Sequence, residues 1–227
     1  MNLPEPTDYI DIHTHGSISA TGIFRVENLM AHETRLPDPA PRQAFTFGIH
    51  PWFLNEGNHK DLITRVKEIA PDPEVVAVGE AGFDKIRGAP PELQREVFEI
   101  QVRIAEELHK PLIIHCVRAW DELLQVHRKF KPEMPWMVHG FRGKKELAMQ
   151  LISRGMYLSF WFSFILRQES SELIRFLPSD RIFPETDGSD ADIAMIYTKV
   201  SADLGLTVNE LKQLFFNNFN RFFGLIS

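Results

Sequence analysis

Asp11-Ile12-His13-Thr14-His15 follows directly on the apolar Tyr9 and Ile10. In an extended strand successive side chains point to opposite faces, so His13 and His15 share one face. Two imidazoles on one rigid edge make half of a metal chelate. Residues for the other half come later in the chain. Glu80 follows the apolar run 75–79, His115 ends the run 111–115, His139 ends the run 135–139, and Asp187 comes just after the run 181–185. Any one of them alone reads as a hydrogen-bonded structural histidine, a helix cap or a salt-bridge partner. Burial gives no reason for all of them to share one topological position, the exit of a β-type run. Together they form the inventory of a two-metal site with one carboxylate bridging. The chemistry expected of it is hydrolysis by a metal-bound hydroxide, with Glu80 and Asp187 as the catalytic carboxylates. Asp187 would also orient the water or accept its proton.

These side chains need a frame that brings them to one rim. Short β-branched or aromatic runs at 9–13, 23–29, 44–49, 75–79, 111–115, 135–139, 155–160 and 181–185 alternate with longer amphipathic stretches. That is the pattern of βα units on a parallel sheet. Eight runs predict a closed TIM-type (β/α) barrel, whose sites form at the C-terminal ends of the strands. Leu62, Val66 and Ile69 keep helical spacing before Pro71, and Pro90-Pro91 opens a longer helix with Leu93, Val97, Ile100, Ile104 and Leu108 on one stripe. Leu147, Leu151 and Ile152 make a third stripe, with Gly155 where a left-handed cap would sit. Thr207 and Glu210 have capping-box spacing ahead of Leu211, Leu214, Phe215, Phe219 and Phe222.

The front of the chain departs from this pattern. Only residues 17–22 or so separate the first two runs, whereas a parallel crossover takes about a dozen or more. Pro37, Pro39 and Pro41 discourage a helix over 30–43. The expectation is one distorted barrel domain over 1–227 that lacks its first two outer helices. The run at 23–29 is open to being parallel, antiparallel or a loop.

Composition narrows the function classes. The chain has 227 residues, 44% hydrophobic and 25% charged, which is ordinary for a globular protein. No apolar run reaches the roughly 18 residues of a membrane span. The first residues lack a basic start and an apolar stretch, so no signal peptide is expected. The single cysteine, Cys116, excludes an internal disulfide and suits a reducing cytoplasm, the expected location. No obligate protein partner is evident. A net charge of −6 argues against non-specific coating of nucleic acid. Two divalent ions against two carboxylates would still leave a locally positive site, so a phosphoester substrate is admitted. Imidazole-rich ligation suits Zn, Mn, Fe or Ni better than Mg, which prefers oxygen ligands.

The ordered set of motifs resembles the TatD family of metal-dependent hydrolases. It comprises Asp11–His15, Gly48-Ile49-His50-Pro51, Gly79-Glu80-Ala81-Gly82-Phe83-Asp84, Ile114-His115, His139-Gly140-Phe141-Arg142-Gly143 and Glu185-Thr186-Asp187. Gln94, Ala105-Glu106-Glu107-Leu108 and the segment Asn217–Phe223 look like that family too. The resemblance covers most of the chain and implies a TIM-barrel metallohydrolase whose relatives include deoxyribonucleases. It places the family's ligands on His13, His15, Glu80, His115, His139 and Asp187. The chain departs from the family at Val117, where an Arg is usual and Arg118 falls one residue later. It departs again at Gly188-Ser189-Asp190, where a small residue, Pro and an aromatic are usual.

The weaker signals are substrate contacts. His50 and Asp84 read either as rim residues that orient ligands or touch substrate, or as a packed histidine and a turn-forming aspartate. Arg142, with Lys144 and Lys145, could meet a phosphate at a predicted helix start. Trp52, Trp161 and Phe162 read as core aromatics sooner than as stacking platforms, and Cys116 as packing. Three functions compete: a phosphodiesterase acting on a phosphoester substrate, including single-stranded DNA ends; an amidohydrolase-type enzyme cleaving a C–N or lactone bond; and a catalytically silent metal-binding protein. The second often uses a lysine carbamate on the fourth strand, where this chain has Glu80.

Overall fold

The computed structural model describes residues 3–16, 20–33, 36–38 and 40–225. Eight strands run in chain order through one sheet: β1 (Tyr9–Thr14), β2 (Ile23–Met30), β3 (Gln43–Gly48), β4 (Val75–Asp84), β5 (Leu112–Val117), β6 (Trp136–Phe141), β7 (Tyr157–Phe160) and β8 (Ile182–Pro184). The helices are α1 (His59–Ile69), α2 (Pro91–Leu108), α3 (Trp120–Phe130), α4 (Lys145–Ile152), α5 (Phe162–Ile165), α6 (Glu169–Phe176), α7 (Ile193–Leu204) and α8 (Val208–Phe222). This is the expected strand–helix alternation of a TIM-type barrel. Among the described residues no helix occurs between β1 and β3, in line with the expected lack of the first two outer helices. No helix among them is long and apolar enough to cross a membrane.

The open question at 23–29 resolves as a parallel strand, with Tyr9 level with Ile23 and Ile10 with Phe24. Eight residues, 15–22, separate the two strands. Eight extended residues reach about 27 Å, and coming back from Thr14 to the level of Tyr9 takes about 17 Å. The short crossover is therefore sterically sufficient.

By its contacts the chain divides into two compact units. The first comprises Met1–Glu27, Pro39–Ala44 and Val138–Ser227; the second comprises Asn28–Asp38 and Phe45–Met137.

The first unit is built on an aromatic core. α8 begins with the expected capping box, in which Thr207 Oγ1 accepts from the Glu210 amide at 3.2 Å and the Glu210 carboxylate accepts from the Thr207 amide at 2.7 Å. Its buried face puts Phe219 edge-on to Phe24, Phe215 edge-on to Tyr197, and Phe222 against Tyr157, with ring centroids 5.4, 5.3 and 5.1 Å apart. Such pairs add to the area burial of large rings. Tyr197 also serves β1 directly. Its hydroxyl accepts from the Ile10 amide at 2.8 Å and donates to the Ile10 carbonyl at 3.2 Å, fixing the strand just ahead of Asp11–His15.

The second unit is organised by β4, all of whose residues are buried. Its neighbours come too close for side chains. A Cβ on Gly48 would lie 2.6 Å from Gly79 Cα, one on Gly79 would lie 2.4 Å from the Ile113 carbonyl oxygen, and one on Gly82 would lie 2.0 Å from the His115 carbonyl oxygen. The buried face of α2 is rotated from the expected stripe: Gln94 and Gln101 point inward, while Leu93 and Ile100 are only half-buried. Each glutamine pairs with a strand exit. Gln101 accepts from the Ile49 amide at 2.7 Å and donates to the Ile49 carbonyl at 3.2 Å. Gln94 does the same for Asp84, at 2.8 and 3.0 Å. Each amide side chain thus satisfies backbone groups that would otherwise be buried unpaired.

Candidate metal centre

Each unit holds its own group of imidazoles and carboxylates. In the first, His13 lies within β1 and His15 just past its end, both on the face expected from their i, i+2 spacing. Asp187 comes to them from the turn after β8. Its Oδ1 stands 3.7 Å from His13 Nε2 and 3.5 Å from His15 Nε2, and its amide donates to the His13 carbonyl at 3.1 Å. The turn needs a left-handed Asp187, with φ of 52°, followed by Gly188. A Cβ on Gly188 would sit 2.9 Å from that of His15, so glycine is required by space as well as by φ.

Asp11 holds this turn in place. Its carboxylate accepts from the Thr186 amide at 2.9 Å and from the Thr186 hydroxyl at 2.6 Å. Burial pushes the Asp11 carboxyl up to about 7 in spite of these bonds. His139 stands within β6, its ring centroid 4.2 Å from that of His13. Beside it is Glu185, which the sequence reading quoted in a motif but gave no role. Glu185 Oε1 lies 3.7 Å from His139 Nδ1 and accepts from the Gly140 amide at 2.8 Å, while Oε2 accepts from the Ser159 hydroxyl. The signal was present, since Glu185 is two residues from Asp187 at the same strand exit.

In the second unit Glu80 is not at a strand end, as the run 75–79 implied, but within the longer β4. Its Oε1 faces His50 Nε2 at 3.1 Å and His115 Nδ1 at 2.8 Å. Asn28, absent from the sequence reading, steadies it: the Asn28 side-chain oxygen accepts from the Glu80 amide at 2.7 Å and from Thr46 Oγ1 at 2.8 Å.

The hydrogen-bond pattern constrains the histidines. His50 Nδ1 accepts from the Trp52 amide at 3.1 Å, which leaves Nε2, 3.1 Å from Glu80 Oε1, as the nitrogen that faces the cluster. His115 Nε2 faces Asp84 Oδ2 at 3.1 Å, and a carboxylate can only accept, so Nε2 carries the proton there. His115 Nδ1 stands 2.8 Å from a Glu80 carboxylate oxygen, a contact that a proton on Nδ1 or a shared cation satisfies. Two acceptors at that distance repel unless a proton or a cation lies between them.

Asp84 is both the turn former and the histidine partner. Besides His115 it accepts from the Trp52 indole at 2.7 Å and from the amides of Ile86 and Arg87 at 2.7 and 3.0 Å. Burial lifts its carboxyl, but the bonds from Trp52, His115, Ile86 and Arg87 outweigh it and hold the group below the usual carboxylate range. His50 and Asp84, read as candidate substrate contacts, are thus buried against Glu80 and His115. Arg142 is exposed, its guanidinium carbon 4.7 Å from the centre of the Trp161 ring. Trp161 and Phe162 are half-buried and Trp52 is 38% exposed, so none of the three is a core aromatic. Cys116 is half-buried, and burial of the sulfur pushes its thiol up and keeps it unreactive at neutral pH.

Within the single units, and among the described residues, three donor sets have one ligand atom per residue with all atoms within 4.8 Å of one another and could hold an ion: His13 with His15 and Asp187; His139 with Glu185 and Asp187; and His50 with Glu80 and His115. Ligand atoms about 2.0–2.2 Å from a central ion fall within such separations, and mixed imidazole–carboxylate sets are what first-row divalent ions take. The donor chemistry fits a metal.

A parallel eight-stranded βα fold of this kind is a TIM-type barrel. The family model described as TatD related DNase matches residues 28–224, and the chain belongs to that family. It is 35% identical over 147 residues to a 3'-5' ssDNA/RNA exonuclease TatD of Erwinia billingiae, covering 63% of this chain and 56% of that protein. It is 31% identical over 144 residues to the metal-dependent hydrolase YabD of Bacillus subtilis, covering 62% of this chain and 56% of that protein. The matched part therefore spans little more than half the length of these relatives. The fold is similar to the crystal structure of a TatD homologue from Escherichia coli K12, with a TM-score of 0.75, 19% identity and 97% and 99% of the two chains covered.

Proposed function

We propose that this protein is a divalent-metal-dependent hydrolase that cleaves phosphodiester bonds, with single-stranded nucleic acid as its substrate. His13, His15, His139 and Asp187 would hold metal in the first unit, and Glu80 and His115 in the second. The observation that carries this reading is the His115 Nδ1 to Glu80 Oε1 contact of 2.8 Å, with Nε2 already committed to Asp84. An imidazole nitrogen and a carboxylate oxygen held side by side in this way are the donor types that first-row divalent ions take. The names of the relatives supply the substrate class, and the acid balance of the chain is no obstacle once two ions outweigh the carboxylates at the site.

Bound divalent ions would polarise the phosphoryl group and lower the pKa of a coordinated water. The chain's own residues do the rest. Asp187, with a side chain 28% exposed, is open enough to take the proton from that water and release it to solvent. Asp84 keeps the His115 proton on Nε2, so Nδ1 presents a lone pair. His50 Nε2, 3.1 Å from Glu80 Oε1, helps to fix the carboxylate's orientation. Asp11, through Thr186, sets the turn that aims Asp187. Zn, Mn, Fe or Ni suit this nitrogen-rich set better than Mg.

Metal analysis of the purified protein, followed by turnover assays on bis(p-nitrophenyl) phosphate, an amide panel and single-stranded DNA, tests the reading. It expects about two ions per chain and phosphodiester turnover that His115→Ala abolishes. Turnover that survives this substitution would remove the site as its source. Amide cleavage without phosphodiester cleavage would favour the amidohydrolase alternative, and bound metal with neither activity the silent binding protein.

A further inference from the structure

Beside the second-unit cluster, one cation has a position of its own. Trp52 lies in the turn after β3, edge-on to His50 and His115 with ring centroids 4.8 and 5.6 Å apart, and its indole N–H is committed to Asp84. Arg87 lies in the loop between β4 and α2 and sets its guanidinium carbon 4.2 Å from the centre of the Trp52 ring. The loop beneath it is fixed. The amides of Ile86 and Arg87 donate to Asp84 Oδ1, the Ala89 amide donates to the Pro51 carbonyl at 3.2 Å, and Gly88, at φ of 111°, packs where a Cβ would come within 2.4 Å of the Pro51 oxygen. Arg87 itself is exposed. A guanidinium laid on an indole spends its face on the ring and keeps its in-plane N–H donors for a ligand. Those donors match two oxygens of one phosphate.

Resting on the phosphodiesterase reading above, we propose that Arg87, pre-oriented on Trp52, grips a backbone phosphate of a single-stranded nucleic acid strand that passes the His50–Glu80–His115 cluster. It is a binding residue for a strand and does no chemistry. The chain is acidic overall, with a net charge of −6, so a cation pinned beside the cluster is a specific device and no part of a general basic surface. Trp52 has a separate second duty, since its indole also positions Asp84.

The test uses the metal-loaded protein and a fluorescein-labelled dT10. Anisotropy gives the dissociation constant over a series of salt concentrations, and cleavage gives kcat and KM. Arg87→Met, which keeps an apolar stem over the ring, should raise the dissociation constant about tenfold, as expected for loss of an exposed charge-assisted contact. The salt slope should fall by about 0.7, one phosphate contact on a single strand. The change should fall on KM rather than kcat. Arg87→Lys, a point charge without the fork, should recover the salt slope but only part of the affinity. Trp52→Phe should lower metal affinity through Asp84 while retaining the salt slope.

Equal dissociation constants and equal slopes for the parent and Arg87→Met, including no binding by either, would overturn the proposal. Arg87-dependent binding without cleavage would leave it standing and sink the phosphodiesterase reading. Cleavage with parent-like KM and slope in Arg87→Met would do the reverse. Parent-like circular dichroism and metal content in Arg87→Met exclude misfolding as the cause.

Discussion

The two clusters are held by different physics. In the first unit, hydrogen bonds to carboxylates do the positioning: Asp11 holds the Thr186 amide and hydroxyl, and Glu185 is held by the Gly140 amide and the Ser159 hydroxyl. The result is partly open, with the side chains of His15 and Asp187 33% and 28% exposed. In the second unit, backbone packs on backbone at Gly48, Gly79 and Gly82, and glutamine amides complete the strand exits. There the side chains of His50 and Glu80 are only 3% and 2% exposed. A cluster set by hydrogen bonds facing water can exchange protons. A cluster set by interlocked backbone is rigid and dry, which strengthens its electrostatics but bars proton traffic. The contrast suits a division between a proton-handling side at Asp187 and an anchoring side at Glu80.

The largest test of that division is to remove one ligand from each cluster. His115→Ala and Asp187→Asn should each lower phosphodiester turnover at least about a thousandfold, on the order of 4 kcal/mol in the barrier. The two should separate on metal content and pH dependence. His115→Ala should lose an ion, whereas Asp187→Asn, which keeps a weaker oxygen ligand, should mainly lose the base and recover activity as pH rises and hydroxide replaces it. Identical metal loss and identical pH profiles in the two variants would erase the division.

Stability should show the same asymmetry. Gly82→Ala puts a methyl group 2.0 Å from the His115 carbonyl oxygen at a φ of 148°, so the strand pair must part. The expected loss is more than about 4 kcal/mol, enough to unfold a marginal domain. Gly140→Ala, at φ of 61° with only Glu185 Oε1 nearby at 3.7 Å, should cost about 1–2 kcal/mol. Thermal melts of the two variants measure the difference, and similar midpoints would show that backbone interlocking is not what holds the second unit.

Those glycines also mark where the sequence was hard to read. His13, His15, His115, His139 and Asp187 stand out because alternation places scarce residue types at the ends of apolar runs, and the structure sets each among other donors. The apolar run 75–79 ends before Glu80, whereas β4 continues to Asp84 and holds Gly79 and Gly82 where neighbouring backbones touch. Gln94, Gln101 and Asn28 are amides that resemble surface residues, and their value lies in backbone groups far along the chain. No local pattern announces such partners. The same holds for α2, where an apolar stripe is visible in the sequence but its rotation toward Gln94 and Gln101 is decided by the strands it covers. The lack of a helix before β3 among the described residues was legible, from the short spacing after the first run and from Pro37, Pro39 and Pro41 after the second.

Asp84 offers a finer probe of the second unit. Asp84→Asn can present an N–H or an oxygen to His115 Nε2 but no longer a full negative charge, and it must still satisfy Trp52, Ile86 and Arg87. Loss of the carboxylate behind a ligating imidazole typically weakens metal binding about 10–100-fold. Calorimetric titration of metal into the chelator-stripped variant measures this directly. The weakening should fall on one ion and leave the other with its parent affinity, because the first-unit ligands are fixed through Asp11 and Glu185. An equal loss at both would mean that the two clusters are not separately supported.

The smallest effect is expected at Ser159, whose hydroxyl donates to Glu185 in the first unit. Ser159→Ala removes that donor from a fully buried carboxylate, which retains the Gly140 amide on its other oxygen. A lost bond to a buried charged group costs about 1–3 kcal/mol, the lower end applying where a partner remains. Without metal, chemical denaturation should show a loss near that lower end. With metal, an ion held by His139, Glu185 and Asp187 would satisfy the freed oxygen, and the deficit should shrink. A deficit that stays the same with and without metal would mean that Glu185 only orients Gly140 and takes no part in holding an ion. A deficit that closes on metal addition would add Glu185 to the ligands of the first unit and deepen its contrast with the glycine-locked second.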